Sequence, residues 1–248
     1  MNLPSLARIA GLCLVATAVA GAVPPALGGE FSVTPISVDL KPGAMSETIT
    51  VTNHAKDKLR VNIRLMQWTQ DAQGKDVYTD SNDLVYFPRQ MDVEGEAKRL
   101  VRVGLKTPAG TMERTYRLFI EEQPEATPDP ARSQIAFYFR FGVPIFVAPA
   151  VPKPQPDVPV PTLQGGKLSI PVKNTGNQHF RLVKIAISDA AGYLEEISGW
   201  YSLAGTERTY TATLPPDVCR KAGTLDVSLV GEGFRLDRKV NVDPASCS

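Results

Sequence analysis

An all-β protein built from two sandwich domains is what this sequence predicts, on three observations. From Glu30 onward, short runs alternating apolar with polar residues are separated by Gly, Pro, Asn and Asp, the pattern of antiparallel strands and turns. No stretch sustains the apolar spacing of an amphipathic helix. Between Ala148 and Pro161 the run APAVPKPQPDVPVP has six prolines in fourteen residues, a composition that holds the chain extended and divides it in two.

The first residues read as a leader. Ile9 to Ala22 are small or apolar and follow Arg8, and Ala18-Val19-Ala20 has small residues where a signal peptidase reads, so a signal peptide over residues 1–20 is expected. Its apolar run of about 14 residues is short for a membrane span. No later segment is long and apolar enough to cross a bilayer, and Cys13 follows Leu12 in place of the small residue that precedes a lipid-modified cysteine. Stable membrane insertion is therefore not expected. The chain has 27 basic and 26 acidic side chains, and losing Arg8 with the leader makes them equal at 26 each. A neutral mature chain gives no electrostatic case for nucleic acid or an anionic membrane.

In the first domain, residues 30–148, candidate strands run Phe31 to Leu40, Ser46 to Asn53, Leu59 to Trp68, Leu84 to Pro88, Lys98 to Leu105, Arg114 to Glu122 and Gln134 to Val147. About seven strands in such a length is the count of an immunoglobulin-like domain. Lys41-Pro42-Gly43 and Asp71-Ala72-Gln73-Gly74 supply the Pro or Gly that a reversal needs. Asp71, Asp76, Asp80 and Asp83 lack the ordered spacing of a calcium loop and read as a solvated hairpin. Arg114 to Glu122 reads as a strand with Tyr116, Leu118 and Ile120 inward and Arg117 and Glu121 outward, which core packing explains.

The strand from Gln134 to Val147 is the most informative. Ile135, Phe137, Phe139, Phe141, Val143, Ile145 and Val147 recur at a spacing of two, so one face is apolar. At roughly 3.3 Å per residue the strand would reach about 45 Å, far beyond the usual length. Pro144 has no amide hydrogen and is tolerated at an edge or bulge, so the strand should leave regular pairing near its end. An apolar edge of this length is either covered within the fold or used to recruit another chain by strand addition. Arg140, on the other face, reads either as a fork for a carboxylate or as a solvated charge.

After a proline-rich linker over 149–161, strands near Lys167 to Asn174, Phe180 to Ser188, Leu194 to Ser202, Thr206 to Leu214, Thr224 to Val230 and Phe234 to Val242 predict a smaller sandwich over 162–248. Cys219 and Cys247 form an even pair in an exported chain, so a disulfide is expected, with two free thiols as the alternative. With no histidine beside them they make a poor metal site. His54 and His179 sit in turn-like contexts and read as surface residues. No nucleophile elbow, phosphate-cradling loop or metal-ligand motif occurs, so neither an enzyme nor a cofactor is expected.

The order and spacing of several segments together resemble the periplasmic pilus chaperones of the chaperone-usher pathway, the PapD-like family, and within it the branch serving archaic-type pili. These segments are Phe31-Ser-Val-Thr-Pro-Ile-Ser-Val-Asp-Leu, Pro42-Gly43, Ile49-Thr-Val-Thr-Asn53, Arg60-Val-Asn-Ile-Arg-Leu-Met-Gln-Trp68, Lys98-Arg-Leu-Val-Arg-Val103, Tyr116-Arg-Leu-Phe-Ile-Glu-Glu122 and Val143-Pro-Ile-Phe-Val147. In the second domain Val172-Lys-Asn-Thr-Gly176 is the best remnant. The resemblance implies two immunoglobulin-like domains set at an angle and a periplasmic, non-enzymatic chaperone. Such a chaperone would cap pilus subunits with Ile135, Phe137, Phe139 and Phe141 and pass them to an outer-membrane usher. It also implies a cationic anchor for the subunit's terminal carboxylate in the cleft, but the aligned positions hold Ser37 and Pro144. Arg140 with the Ser37 hydroxyl is the replacement the sequence offers; the other option is a client held mainly through the strand. Whether the free protein caps itself as a dimer is left open. The main rival is an exported structural or adhesive protein using two sandwiches as a rod.

Overall fold

The structure, a computed structural model, describes residues 31–123 and 138–247. The first domain contains β1 (Phe31–Thr34), β2 (Val38–Leu40), β3 (Ser46–Asn53), β4 (Leu59–Gln70), β5 (Asp76–Asp80), β6 (Leu84–Phe87), β7 (Gln90–Val93), β8 (Lys98–Leu105), β9 (Arg114–Glu122) and β10 (Arg140–Val147). One sheet has the order β1-β3-β8-β6. The facing sheet has the order β2-β10-β9-β4-β5, with β7 also on β4. Alternate residues of both sheets, among them Ile49, Val101, Ile63, Leu118 and Ile145, fill the shared core with essentially no exposure, as inward faces of a sandwich must.

The expected first strand, Phe31 to Leu40, is two. Phe31 and Val33 point inward from odd positions, whereas Val38 and Leu40 do so from even ones. A straight strand cannot change parity, so the chain breaks after Thr34 at Pro35, which has no N–H for a ladder. β1 then pairs antiparallel with β3, and β2 crosses to pair parallel with the end of β10. β7, which the sequence did not suggest, lies on β4 after Pro88.

The second domain contains β11 (Pro156–Asp157), β12 (Thr162–Gln164), β13 (Lys167–Asn174), β14 (Phe180–Ser188), β15 (Leu194–Ser198), β16 (Tyr201–Ser202), β17 (Glu207–Thr213), α1 (Pro216–Lys221), β18 (Thr224–Gly231) and β19 (Phe234–Asn241). Its sheets are β11-β13-β12 with β17 on β13, and β15-β14-β18-β19 with β16 on β14. The short helix was not anticipated; it buries Cys219, whose sulfur is bonded to Cys247. The proline-rich run is drawn into this domain before residue 162, because Pro156 and Asp157 pair with β13 and Val158 is 1% exposed in the second core. A buried asparagine closes the same loop in each sandwich. Asn53 and Asn174 both donate to backbone carbonyls and accept the N–H two residues on, which marks the two domains as related folds.

Candidate functional site: the open edge of β10 and the interdomain face

β10 pairs along its whole length with β9, Arg140 opposite Glu121 through Val147 opposite Arg114. Pro144 therefore does not end the pairing as expected. The N–H of Glu122 donates to the carbonyl of Phe139 at 3.0 Å, so odd-numbered residues of β10 face β9 with their main-chain groups, and even-numbered ones face away. Pro144 falls in the second set, where its missing hydrogen costs nothing to the β9 ladder.

On the other side, β2 covers only Ile145 to Val147. From Arg140 to Pro144, among the described residues, no strand lies alongside β10. The N–H groups of Arg140 and Gly142 thus point out of an open sheet edge, which ends where the β2 ladder begins at Pro144 and Ile145.

The alternating apolar face divides at the same place. Val143, Ile145 and Val147 are at most 3% exposed in the first core. Phe141 sits at the rim, its ring edge-on to Phe31 at 4.9 Å. Phe139 is 42% exposed. Ile135 and Phe137 lie outside the described residues.

The opposite face of this sheet looks toward the second domain, and here the structure departs from the outward solvated series expected for β9. Arg117, opposite Pro144 in register, is 8% exposed. Its side chain crosses β10 above Gly142, where a Cβ would come within 3.2 Å of Arg117 Cδ and 3.1 Å of Phe119 Cε1. The absence of a side chain at Gly142 lets the guanidinium reach the open edge, where Nη1 donates to the Gly142 carbonyl at 3.0 Å. The guanidinium carbon lies 4.1 Å from the centre of the Trp68 ring, a favourable cation–π distance. Nε and Nη2 are buried without a hydrogen-bond partner. A buried arginine is almost always paired, and here the Gly142 carbonyl and the Trp68 ring are the partners. Nearby, burial pushes the Tyr78 phenol above its ordinary range, with the Arg117 charge opposing the shift.

The residues named from sequence for the carboxylate do not converge. Arg140 Nε is engaged by Glu121 at 2.8 Å, and its guanidinium carbon stands 3.9 Å from the centre of the Phe119 ring. Ser37, half-buried just before β2, extends the β2 register to Pro144. That is four residues from Arg140, or about 13 Å along a strand. The signal for Arg117 was present but misread: Thr115, Arg117 and Phe119 alternate on a face that includes Trp68, and a phenylalanine and a tryptophan there indicate cover by another element.

That cover is the second domain. Trp68 and Phe146 pack with Leu203 and Tyr201, and the Phe146 ring stacks on His179 at 3.6 Å. His179, expected at the surface, is held by Glu113, whose carboxylate is fully inaccessible and accepts both the His179 N–H and a contact from Nδ1 at 2.9 Å. The β4–β5 hairpin, expected to be solvated, docks on the second domain too. Gln70 binds Tyr201, Leu203 and Thr206, and Trp200 Nε1 donates to Asp76 at 2.9 Å. Gly74, at φ +72°, would carry a Cβ 2.6 Å from that of Arg208, so only glycine permits this approach. A cleft of about 670 Å³ remains between the domains, lined by Phe146, Phe180 and Arg181 among others.

Fold and site define a class: a two-domain immunoglobulin-like protein that, among its described residues, leaves one edge of its first sandwich unpaired beside a buried arginine. The family follows from comparison. Residues 30–153 match the family described as pili and flagellar-assembly chaperone, PapD N-terminal domain, and the chain belongs to that family. Among solved structures, it is similar to a chain of the chaperone–tip adhesion subunit pre-assembly complex from the archaic chaperone-usher Csu pili of Acinetobacter baumannii. That match has 18% identity over 85% of this chain and 98% of the other, with a TM-score of 0.61. The YadV chaperone matches at 13% identity over 85% and 98%, TM-score 0.60. The CupB2 chaperone of Pseudomonas aeruginosa matches at 15% over 86% and 100%, TM-score 0.53. At such identities the likeness is one of fold. No curated protein matches by sequence.

Proposed function

We propose that this chaperone works in the periplasm, holding a pilus subunit by completing the subunit's sheet along the open edge of β10 until it is passed to an outer-membrane usher. The observation that carries the proposal is the edge itself. A run from Arg140 to Val143 that, among the described residues, is paired on one side only would invite aggregation unless a partner uses it, and its neighbour Phe139 offers an exposed apolar ring in line with Phe141. Main-chain groups of Arg140 and Gly142 bind the incoming strand, and alternating side chains, Ile135 and Phe137 included, fill its groove. Arg117 takes the place of the missing cleft cations: its guanidinium reaches the open edge at the Gly142 carbonyl, and on subunit binding its Nε and Nη2, which have no hydrogen-bond partner, donate to the subunit's terminal carboxylate. No cofactor is needed, since the subunit's own folding supplies the driving force.

The test is co-expression with a pilin that lacks its last strand. Phe137→Asp with Phe139→Asp is expected to leave the chaperone folded and soluble while abolishing co-purification. A folded double variant that still captures the pilin would sink strand donation.

A further inference from the structure

The outer face of the β1-β3-β8-β6 sheet carries a second surface, remote from the β10 edge. Most of that face is Thr and Ser, as on β1 and β3, but over β6 and β8 it turns apolar and basic. Phe87 is 76% exposed, Leu100 54% and Val85 51%. Phe87 stands directly opposite Arg102, and Val85 opposite Gly104, so Phe87 lies between Val85 along its own strand and Leu100 on the diagonal, all three on one face. Beside them is a groove of about 840 Å³, bounded by Phe87, Pro88, Met91, Lys98 and Arg102.

The charges there are one-sided. Lys98, Arg99 and Arg102 take part in no ion pair among the described residues, while the one carboxylate in the groove, Asp92, is already held by Arg60 at 3.0 Å. In a chain with almost balanced charges, two unpaired cations on the face of an apolar patch, with Arg99 at its margin, are a local asymmetry. Along β8, Lys98, Leu100 and Arg102 fall on the same face, giving cation, apolar, cation at steps of about 6.6 Å. β6 is the terminal strand of its sheet and only four residues long, so among the described residues one of its main-chain edges has no strand beside it next to the patch.

We propose that this face docks an extended segment of a second protein that reads acid, apolar, acid at alternate positions. Its carboxylates would meet Lys98 and Arg102, and its central side chain would sit between Leu100 and Phe87. The matching period of two on both strands fixes the register, and the paired charges fix its sign. This surface shares no residue with the β10 edge and stands or falls independently of it.

The experiment uses the full mature chain and two fluorescein-labelled peptides, one alternating Glu, Leu and Glu with serines between, the other with Lys replacing Glu. Fluorescence anisotropy should show binding of the acidic peptide that weakens as salt is raised, and none of the basic one. Lys98→Glu with Arg102→Glu, and separately Phe87→Ser, should each weaken it by about tenfold or more. All three positions are exposed, and unchanged thermal melts will confirm that the variants fold. No binding of the acidic peptide, equal binding of both peptides, or undiminished binding by the charge-reversed variant overturns the proposal. So does sedimentation with phosphatidylglycerol vesicles that depends on the same residues while the peptide fails to bind, since the face would then read lipid.

Discussion

Two sheet edges of this molecule, β10 in the first domain and β19 in the second, meet water in opposite ways. β19 closes the β15-β14-β18-β19 sheet and exposes Arg235, Asp237, Lys239 and Asn241 at alternate positions. Arg235 and Asp237 pair with each other, and Lys239 with Asp226. Arg238, on the inward-facing set, is drawn back to the Val158 carbonyl at 2.8 Å. Charges along an edge and a charge pointing inward are the usual protections against a stray strand. Among the described residues, the open part of β10 has less protection than this. Its central residue is a glycine, its one exposed cation is tied to Glu121, and its neighbour is the exposed Phe139. One edge is defended and the other left available, and only the second has a reason to be.

The largest expected effect separates the two halves of β10. Val143→Asp would bury a charge in the first core and cost well over about 4 kcal/mol, so thermal melts should show that domain unfolded. Phe139→Asp alone should leave the melting temperature almost unchanged. Equal loss in both would mean that the edge half is core as well.

Next in size is the disulfide. Cys219→Ser with Cys247→Ser should remove about 2–4 kcal/mol from the second domain in denaturant unfolding, while pilin capture by β10 stays intact. Loss of capture would tie the two edges together through the domain interface.

Arg117→Met should lower pilin affinity by about tenfold, or roughly 1.4 kcal/mol. It should not destabilise the chaperone, because a buried cation with unmet donors is replaced by an apolar chain of similar length. Calorimetric titration with pilin measures the first effect and a melt the second. A drop in stability with no change in affinity would return Arg117 to a purely structural role. The smallest effect belongs to the defended edge: Lys239→Ala should cost no more than about 1 kcal/mol, visible only as a slight shift in the denaturation midpoint.

How much of this was legible beforehand varies by residue. The β class, the two sandwiches and the Cys219–Cys247 pair follow from alternation, composition and the even cysteine count left after the leader. The break at Pro35 could have been found from the change of inward parity between Val33 and Val38. Arg117 does face outward from the first core, but an arginine between apolar neighbours reads as solvated unless the other side of the sheet is known to be covered. His179 reads as a surface group for the same reason, since the Glu113 carboxylate that holds it is 66 residues away in sequence.

By itself, the sequence determined that residues 139, 141, 143, 145 and 147 share one apolar face, because alternation is a local property of an extended backbone. Only the tertiary structure decided that the last three of them are sealed while the first lies by an open edge. That depends on where β2, arriving from more than a hundred residues away, begins to pair, and on Gly142 giving Arg117 a path across the strand. Pairing partners and paths of this kind arise from long-range packing, which no local pattern encodes.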